Sequence, residues 1–234
     1  MLFTEGCIIC GKELIYSEDT NKVKCLFCGA EQEGNVQCPD GHFICDTCHQ
    51  SSAFEVIENY CNQTDEKDPG KIAQHLMNHP SVHMHGPEHH FLVPACLLTA
   101  YYNQTNKPAL KPGKISTARN RASAVLGGFC GSHGNCGAAV GTGIFISIIT
   151  ANTPLGEKEW QLSNKMTAIA LLHIADAGGP RCCKRDSYIA IQVAVDYLKK
   201  HFEVELPLSP ITCLHSDRNK QCKKSECNYF SKSA

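Results

Sequence analysis

The sequence predicts a mainly α fold: a helical metal-binding domain preceded by small fingers of zinc-ribbon or treble-clef type. Three observations carry that reading. Sixteen of the 234 residues are cysteines, and they fall in three groups instead of being scattered. The first group has the pairwise spacing of finger ligands, which small modules use in place of a large core. From about residue 70 onward, apolar residues recur at helical period with few alternating β-branched stretches. The chain divides accordingly into a double-finger module over 1–62, a helical core over 70–212 and a cysteine-rich tail over 213–234 packed on that core.

Composition narrows the function. The length suffices for one domain with a real core beside a metal-stapled region. A net charge of −1 argues against a broad nucleic-acid footprint. The most apolar uncharged stretch, 136–151, contains three glycines and falls short of the roughly 18 apolar residues of a membrane span. It reads as a buried helix, and no membrane association is expected. The first residues lack the basic and apolar regions of a secretory signal. Paired cysteines in that setting point to a reducing cytoplasm and to metal ligation over disulfides.

In the first segment, Cys7-x2-Cys10-x14-Cys25-x2-Cys28 has the spacing of a four-thiolate zinc ribbon. Gly11 and Gly29 relieve the backbone where such knuckles turn, and 13–16 and 22–24 read as short strands. Rubredoxin-type iron would suit the same ligands. Cys38-x3-His42-x2-Cys45-x2-Cys48 supplies a second complete set and is similar to the middle of a RING-type or related treble-clef finger. The eight ligands can form two sequential sites or interleave in a cross-brace; His49 can replace His42, and Cys61 can join. Two zinc ions are expected, contributing the folding energy that so small a module lacks. Such modules more often dock a protein partner than perform chemistry.

A helix over 51–60 leaves the finger, with Ser52 as cap and Glu55 three residues on. The polar, breaker-rich segment 62–70 marks the boundary. Further helices are expected over 71–77, 89–102, 114–126, 136–150, 163–177 and 185–202. Ser163 is placed at the start of the fifth of these, and Gly178-Gly179-Pro180 at its end.

Three places in this domain and the tail carry candidate chemistry. Seven glycines in 127–143 suggest backbone packed round a cofactor or small substrate, although Gly134, Gly137 and Gly141 also suit close helix approach. Cys130, His133 and Cys136 in that stretch read as ligand or catalytic groups, with Cys136 near a helix start where thiolate charge is favoured. Cys182 and Cys183 stand in a turn flanked by Arg181, Lys184 and Arg185, a field that should lower thiol pKa. Arg181 or Arg185 can instead clamp a substrate carboxylate. Among His79, His83, His85, Glu88, His89 and His90, the last two are favoured as metal ligand or general base, whereas His75 and His201 read as surface residues and Cys96 as a buried apolar group. In the tail, Cys213-x8-Cys222-x4-Cys227 lies in a segment too polar to fold alone and implies a metal. With Cys182 or Cys183 as fourth ligand, or with His215 or an open position, it can hold a [4Fe–4S] cluster; zinc also suits Cys–His mixtures.

From about residue 83 to the end, the strings HGPEHH (85–90), GFCGSHGNCG (128–137) and GGPRCCKR (178–185) and the three-cysteine tail resemble a cysteine-rich prokaryotic family of archaea and anaerobic bacteria, known only as a domain of unknown function. Some of its members look like fusions to a methyltransferase or radical enzyme domain, whose signatures this chain lacks. The outline of 130–143 and 178–185 is also similar to iron–sulfur L-serine dehydratases and cysteine desulfidases, with Cys136 and Cys182 or Cys183 in the comparable places. Lys184-Arg185 stands where those enzymes carry Arg-Asn, and the tail cysteines are additional.

The resemblance implies an iron–sulfur protein of lyase or desulfidase type acting on a small anionic or sulfur-containing substrate. His89 or His133 would shuttle the proton and Arg181 or Arg185 would anchor the anion, with Cys130, Cys136, Cys182, Cys183, Cys213, Cys222 and Cys227 supplying cluster ligands. A sulfur- or metal-trafficking accessory protein using Cys182 and Cys183, and a zinc-stabilised adaptor without catalysis, are the other two expectations. Long uncharged helix faces allow a homodimer.

Overall fold

The computed structural model describes residue 7, residues 9–45, residue 48 and residues 52–231. His49 and the first residue of the helix expected over 51–60 lie outside the described residues. Past the finger, apolar residues at helical spacing become helices, each ended by a local signal. Ser52 and Glu55 close the expected capping box at the start of α1 (Ala53–Gln63): the Ser52 amide donates to Glu55 Oε2 at 2.8 Å and the Glu55 amide to Ser52 Oγ at 3.4 Å. α2 (Pro69–Met77) has proline in its first position and Asp68 as cap, accepting from the Gly70 and Lys71 amides. The other oxygen of Asp68 accepts from the Ser209 amide at 2.7 Å, tying the start of α2 to the chain that leaves the last helix.

The remaining helices are α3 (Glu88–Gln104), α4 (Lys111–Ser123), α5 (Phe129–Ser132), α6 (Gly137–Ile149), α7 (Lys158–Asp176) and α8 (Cys183–Phe202). α3 is apolar on nearly every side and forms the axis of the bundle, packed by α1, α2, α4, α6 and α8. Phe91, Leu92, Leu97, Leu98, Phe145 and Ile191 are fully buried around it. α1 adds Val56, Ile57 and Cys61 to the same core, so helical packing begins before the breaker-rich segment. That segment is itself clamped: Asn103 Nδ2 donates to the carbonyls of Thr64 and Glu66, and Lys111 Nζ donates to that of Thr64. Cys61 therefore lies in the helical core, not among the finger sulfurs.

α7 starts at Lys158, not at Ser163, whose hydroxyl donates to the Glu159 carbonyl one turn back inside the helix. In the glycine-rich stretch, 126–134 is mostly exposed, and Gly137, Gly141 and Gly143 are buried at helix contacts. His75 is not a surface residue; its ring stacks on Tyr60 at 4.2 Å.

Ahead of the bundle, β1 (Ile15–Lys24) and β2 (Glu31–Gln37) form an antiparallel hairpin. Its register pairs Ile15 with Gln37 at the open end and Lys24 with Glu31 at the turn. A small second core of Cys25, Phe27 and Cys45 seats this module on α2. The Phe27 ring lies edge-on to His79 at 4.2 Å and to His75 at 5.3 Å, and His79 Nε2 meets the Cys48 carbonyl at 3.1 Å. No helix among the described residues is long and apolar enough to cross a membrane.

Candidate metal centres

The hairpin decides how the finger ligands are shared. Cys10 and Cys38 flank its open end, whereas Cys25 and Cys28 form its turn. A strand of ten residues, at about 3.3 Å each, holds the two ends roughly 30 Å apart or somewhat less where the ladder is irregular. One ion cannot bridge that distance. The expected four-thiolate ribbon of Cys7, Cys10, Cys25 and Cys28 is therefore not formed. Cys7 and Cys10 instead converge with Cys38 and His42, and Cys25 and Cys28 with Cys45 and Cys48. The two sets interleave along the chain as a cross-brace.

Within each set the ligand atoms all lie within 4.8 Å of one another. Sulfurs of Cys10 and Cys38 are 3.5 Å apart and those of Cys28 and Cys45 are 3.6 Å apart; His42 Nδ1 is 3.7 Å from Cys7 Sγ and 3.6 Å from Cys38 Sγ. A tetrahedron with metal–sulfur bonds of about 2.3 Å has edges of about 3.8 Å, so both sets match a single ion. Gly11 and Gly29 both take positive φ after their knuckles, and the Gly11 and Gly29 amides close the turns onto the carbonyls of Cys7 and Cys25. Burial pushes the Cys25 thiol up, but the backbone amides of Cys28, Cys45 and Phe27 outweigh it and hold the group at about 7. Cys38 is lowered in the same way, burial being overcome by the amide of Asp40 and neighbouring sulfurs. Each set thus contains one sulfur poised to ionise first.

The tail builds a third cysteine group. After α8 the chain returns along it: the Cys213 amide donates to the Tyr229 carbonyl at 2.7 Å, and Tyr229 Oη to Gln192 Oε1 at 3.0 Å. Cys182, Cys213, Cys222 and Cys227 thereby line one cleft, together with Tyr188 and Tyr229, whose empty volume is about 460 Å³ with its open mouth included. Among the described residues only the two finger sets bring three or more ligand atoms within 4.8 Å of one another, so these four sulfurs stand wider apart than a single ion requires.

Cys182 and Cys183 do not act as a pair. Cys182 caps α8 and faces the cleft; Cys183 receives the Gly86 amide and lies near Cys136 and Asp186. Cys130 is the next sulfur along that second side, close to Cys136. The low thiol pKa expected for Cys136, Cys182 and Cys183 is not found, because burial outweighs the helix starts and nearby cations. It pushes Cys136 and Cys183 up to about 11 and raises Cys182 as well.

Of the residues suggested for acid–base and anion-binding roles, Arg185 alone lines that cleft. His133 is exposed on the short α5 beside Ser132 Oγ, and Arg181 is exposed. Arg185 is buried, its Nε donating to Asp186 Oδ1 at 3.0 Å and a terminal nitrogen to the Pro180 carbonyl. His89 is 1% exposed. Its Nε2–H donates to the His83 carbonyl at 3.1 Å, and Nδ1 lies 3.2 Å from Ser187 Oγ, whose proton goes to the Cys183 carbonyl at 2.8 Å. Burial, then the charge of Lys184, lowers its pKa from 6.5 to about 3. Because the unfolded chain binds a proton that the folded chain refuses, stability should fall as pH drops from 6.5 towards 3, by about 1.4 kcal/mol per pH unit for this group. His89→Gln, which can still donate to the His83 carbonyl, should remove about one proton from that slope in urea titrations across the same pH window.

Lys184, expected only as a cation flanking the two cysteines, is buried, as are Asn219 and Asp68, which the sequence did not single out. Lys184 Nζ donates to the carbonyls of Met77 and Val82 at 2.9 and 3.1 Å, and burial lowers its pKa to about 8. A basic string at the start of a helix gives no sign of which member turns inward.

Residues 57–230 match a family of unknown function, DUF5714, and the chain belongs to that family. The match holds the helical bundle and the tail cysteines but none of the eight finger ligands. No curated protein and no solved structure matched the chain.

Proposed function

We propose that this DUF5714 member is a zinc-braced accessory protein: an adaptor whose N-terminal cross-brace carries two structural zinc ions and docks a protein partner. The observation that carries this reading is the closure of both finger sites. Each offers four protein ligands, so no position is left for water or substrate, and closed sites are structural where catalytic zinc keeps one position open. The ligand types, four thiolates in one site and three with an imidazole in the other, suit zinc.

Turnover as a lyase or desulfidase has less support. His89 is sealed and neutral, and Arg185 is committed to Asp186 and to a carbonyl. Neither stands free beside an exchangeable coordination position. Transfer of sulfur or metal through Cys182 and Cys183 has less support as well, because the two thiols face different surroundings.

Zinc-edge X-ray absorption on the purified chain tests the reading. Two zinc ions per chain with a shell of sulfur and one nitrogen contribution are expected. An oxygen ligand from water at either ion, or fewer than two ions bound, would overturn it.

A further inference from the structure

We infer that Cys182, Cys213, Cys222 and Cys227 bind a [4Fe–4S] cluster in the cleft between the start of α8 and the tail, a site separate from the two zinc sites. Four cysteines are the usual complete ligand set of such a cluster. They come from two distant stretches of chain and line one cleft. Spacing separates this group from the finger sets. Sulfurs sharing one ion must stand about 3.8 Å apart, which the finger sulfurs do and these four do not. A cubane gives each thiolate its own iron, so its four sulfurs surround a body instead of a point.

The sulfurs also receive the donors that ligating thiolates need. The amide of His215 donates to Cys213 Sγ and that of Lys224 to Cys222 Sγ, both at 3.4 Å. Each is the amide two residues past its cysteine, the contact that Asp40 makes with the finger ligand Cys38 at 3.4 Å. Asn219, itself buried, turns Nδ2 to Cys182 Sγ at 3.6 Å and accepts the Gln221 amide on Oδ1. Tyr188 and Tyr229, both buried and with ring centroids 5.4 Å apart, line the same cleft.

Charge balance points the same way. Four thiolates around a cubane carry net negative charge, which the start of a 20-residue helix stabilises. Lys184, 2% exposed, hydrogen-bonds two carbonyls and lies within electrostatic reach of Cys182 and Cys213, as well as Glu88. An anionic cluster gives this buried cation a counter-charge. Because all four irons are held by cysteine, none is left open for a substrate. The site thus agrees with an accessory role and not with a lyase that needs a vacant iron.

The full zinc-loaded chain, incubated anaerobically with ferric iron, sulfide and a thiol that reduces part of that iron to ferrous, should take up about four irons and four sulfides and gain a broad visible band bleached by dithionite. Its zinc content should stay the same. Cys182→Ala, Cys213→Ala, Cys222→Ala and Cys227→Ala should each lower bound iron and sulfide at least two-fold, whereas Cys183→Ala and Cys136→Ala should retain both. Should an alanine variant fail to fold, alkylation footprinting of the unmutated chain replaces it, with protection gained on loading at those four cysteines alone. A third zinc in place of iron and sulfide, no uptake, or dependence on Cys183 or Cys136 in place of Cys182 would overturn the inference. Zinc counted in the same samples reports on the finger sites separately, so failure of one reading is distinguishable from failure of the other.

Discussion

Cys7→Ala and Cys38→Ala should empty one and the same zinc site, although the two positions are far apart in sequence. Cys25→Ala and Cys45→Ala should empty the other. The double variants carry the sharper expectation. Cys7→Ala with Cys38→Ala should lose one zinc, whereas Cys7→Ala with Cys25→Ala should lose both. Sequential sites would reverse that outcome, and native mass spectrometry reads it directly. The effect is large because structural zinc binds with an apparent free energy of about 10–16 kcal/mol in small finger peptides. Among the described residues the module's own hydrophobic cluster is small, built on Cys25, Phe27 and Cys45, so each lost ion should unfold its half of the finger. The helical bundle, whose core is a separate cluster, should keep its cooperative melting transition.

Why the ligands were legible and their pairing was not follows from what spacing encodes. A Cys-x2-Cys string fixes one knuckle, since its two sulfurs must converge on a single ion. Nothing in the string says which other knuckle completes the tetrahedron. That is set by the hairpin, whose first strand runs on to Lys24 and whose second strand, Glu31–Gln37, is polar enough to escape notice in the sequence. Once both strands are in place, the knuckle at 25–28 is the turn and cannot return to Cys10.

The tail cleft shows a similar limit. Cysteines 213, 222 and 227 are visible as a group, but Cys182 and Cys183 are equivalent on paper. On a helix successive side chains diverge by about 100°, and Cys182 is still in extended conformation as the cap while Cys183 already belongs to the helix. One residue therefore meets the tail and its neighbour meets Gly86 and Cys136. The expected low thiol pKa failed for a related reason. Sequence shows the cations and helix start that lower it, but not the burial that raises it more. The helical core was far more legible, because its apolar periodicity and its caps are local. Ser52 with Glu55 and the Gly178 turn act within a few residues of themselves.

A close seam between α3 and α6 gives the second large prediction. Pro94 lies inside α3 and has no amide to offer the carbonyl of His90, and α6 closes on that point through Gly141. A Cβ at Gly141 would stand 2.8 Å from Pro94 Cδ, 3.1 Å from the His90 carbonyl oxygen and 3.2 Å from Val93 Cβ. Neither the proline ring nor the backbone oxygen can swing away, so the helices must part. Alanine would gain about 1 kcal/mol in helix propensity, but overpacking of this kind costs typically about 1–3 kcal/mol and more where backbone is involved. Gly141→Ala should therefore be net destabilising. Gly113→Ala, in α4 with nothing within 4 Å of the new methyl, should be neutral or stabilising by up to about 1 kcal/mol. Opposite signs for the same chemical change separate packing from propensity. Phe145→Ala, one turn beyond Gly141 and fully buried near Tyr101, should cost about 3–5 kcal/mol. At roughly 2–4 °C per kcal/mol for a chain of this size, thermal melts should order the three variants without ambiguity. Equal melting of Gly141→Ala and Gly113→Ala would mean that α6 does not approach α3 at that glycine.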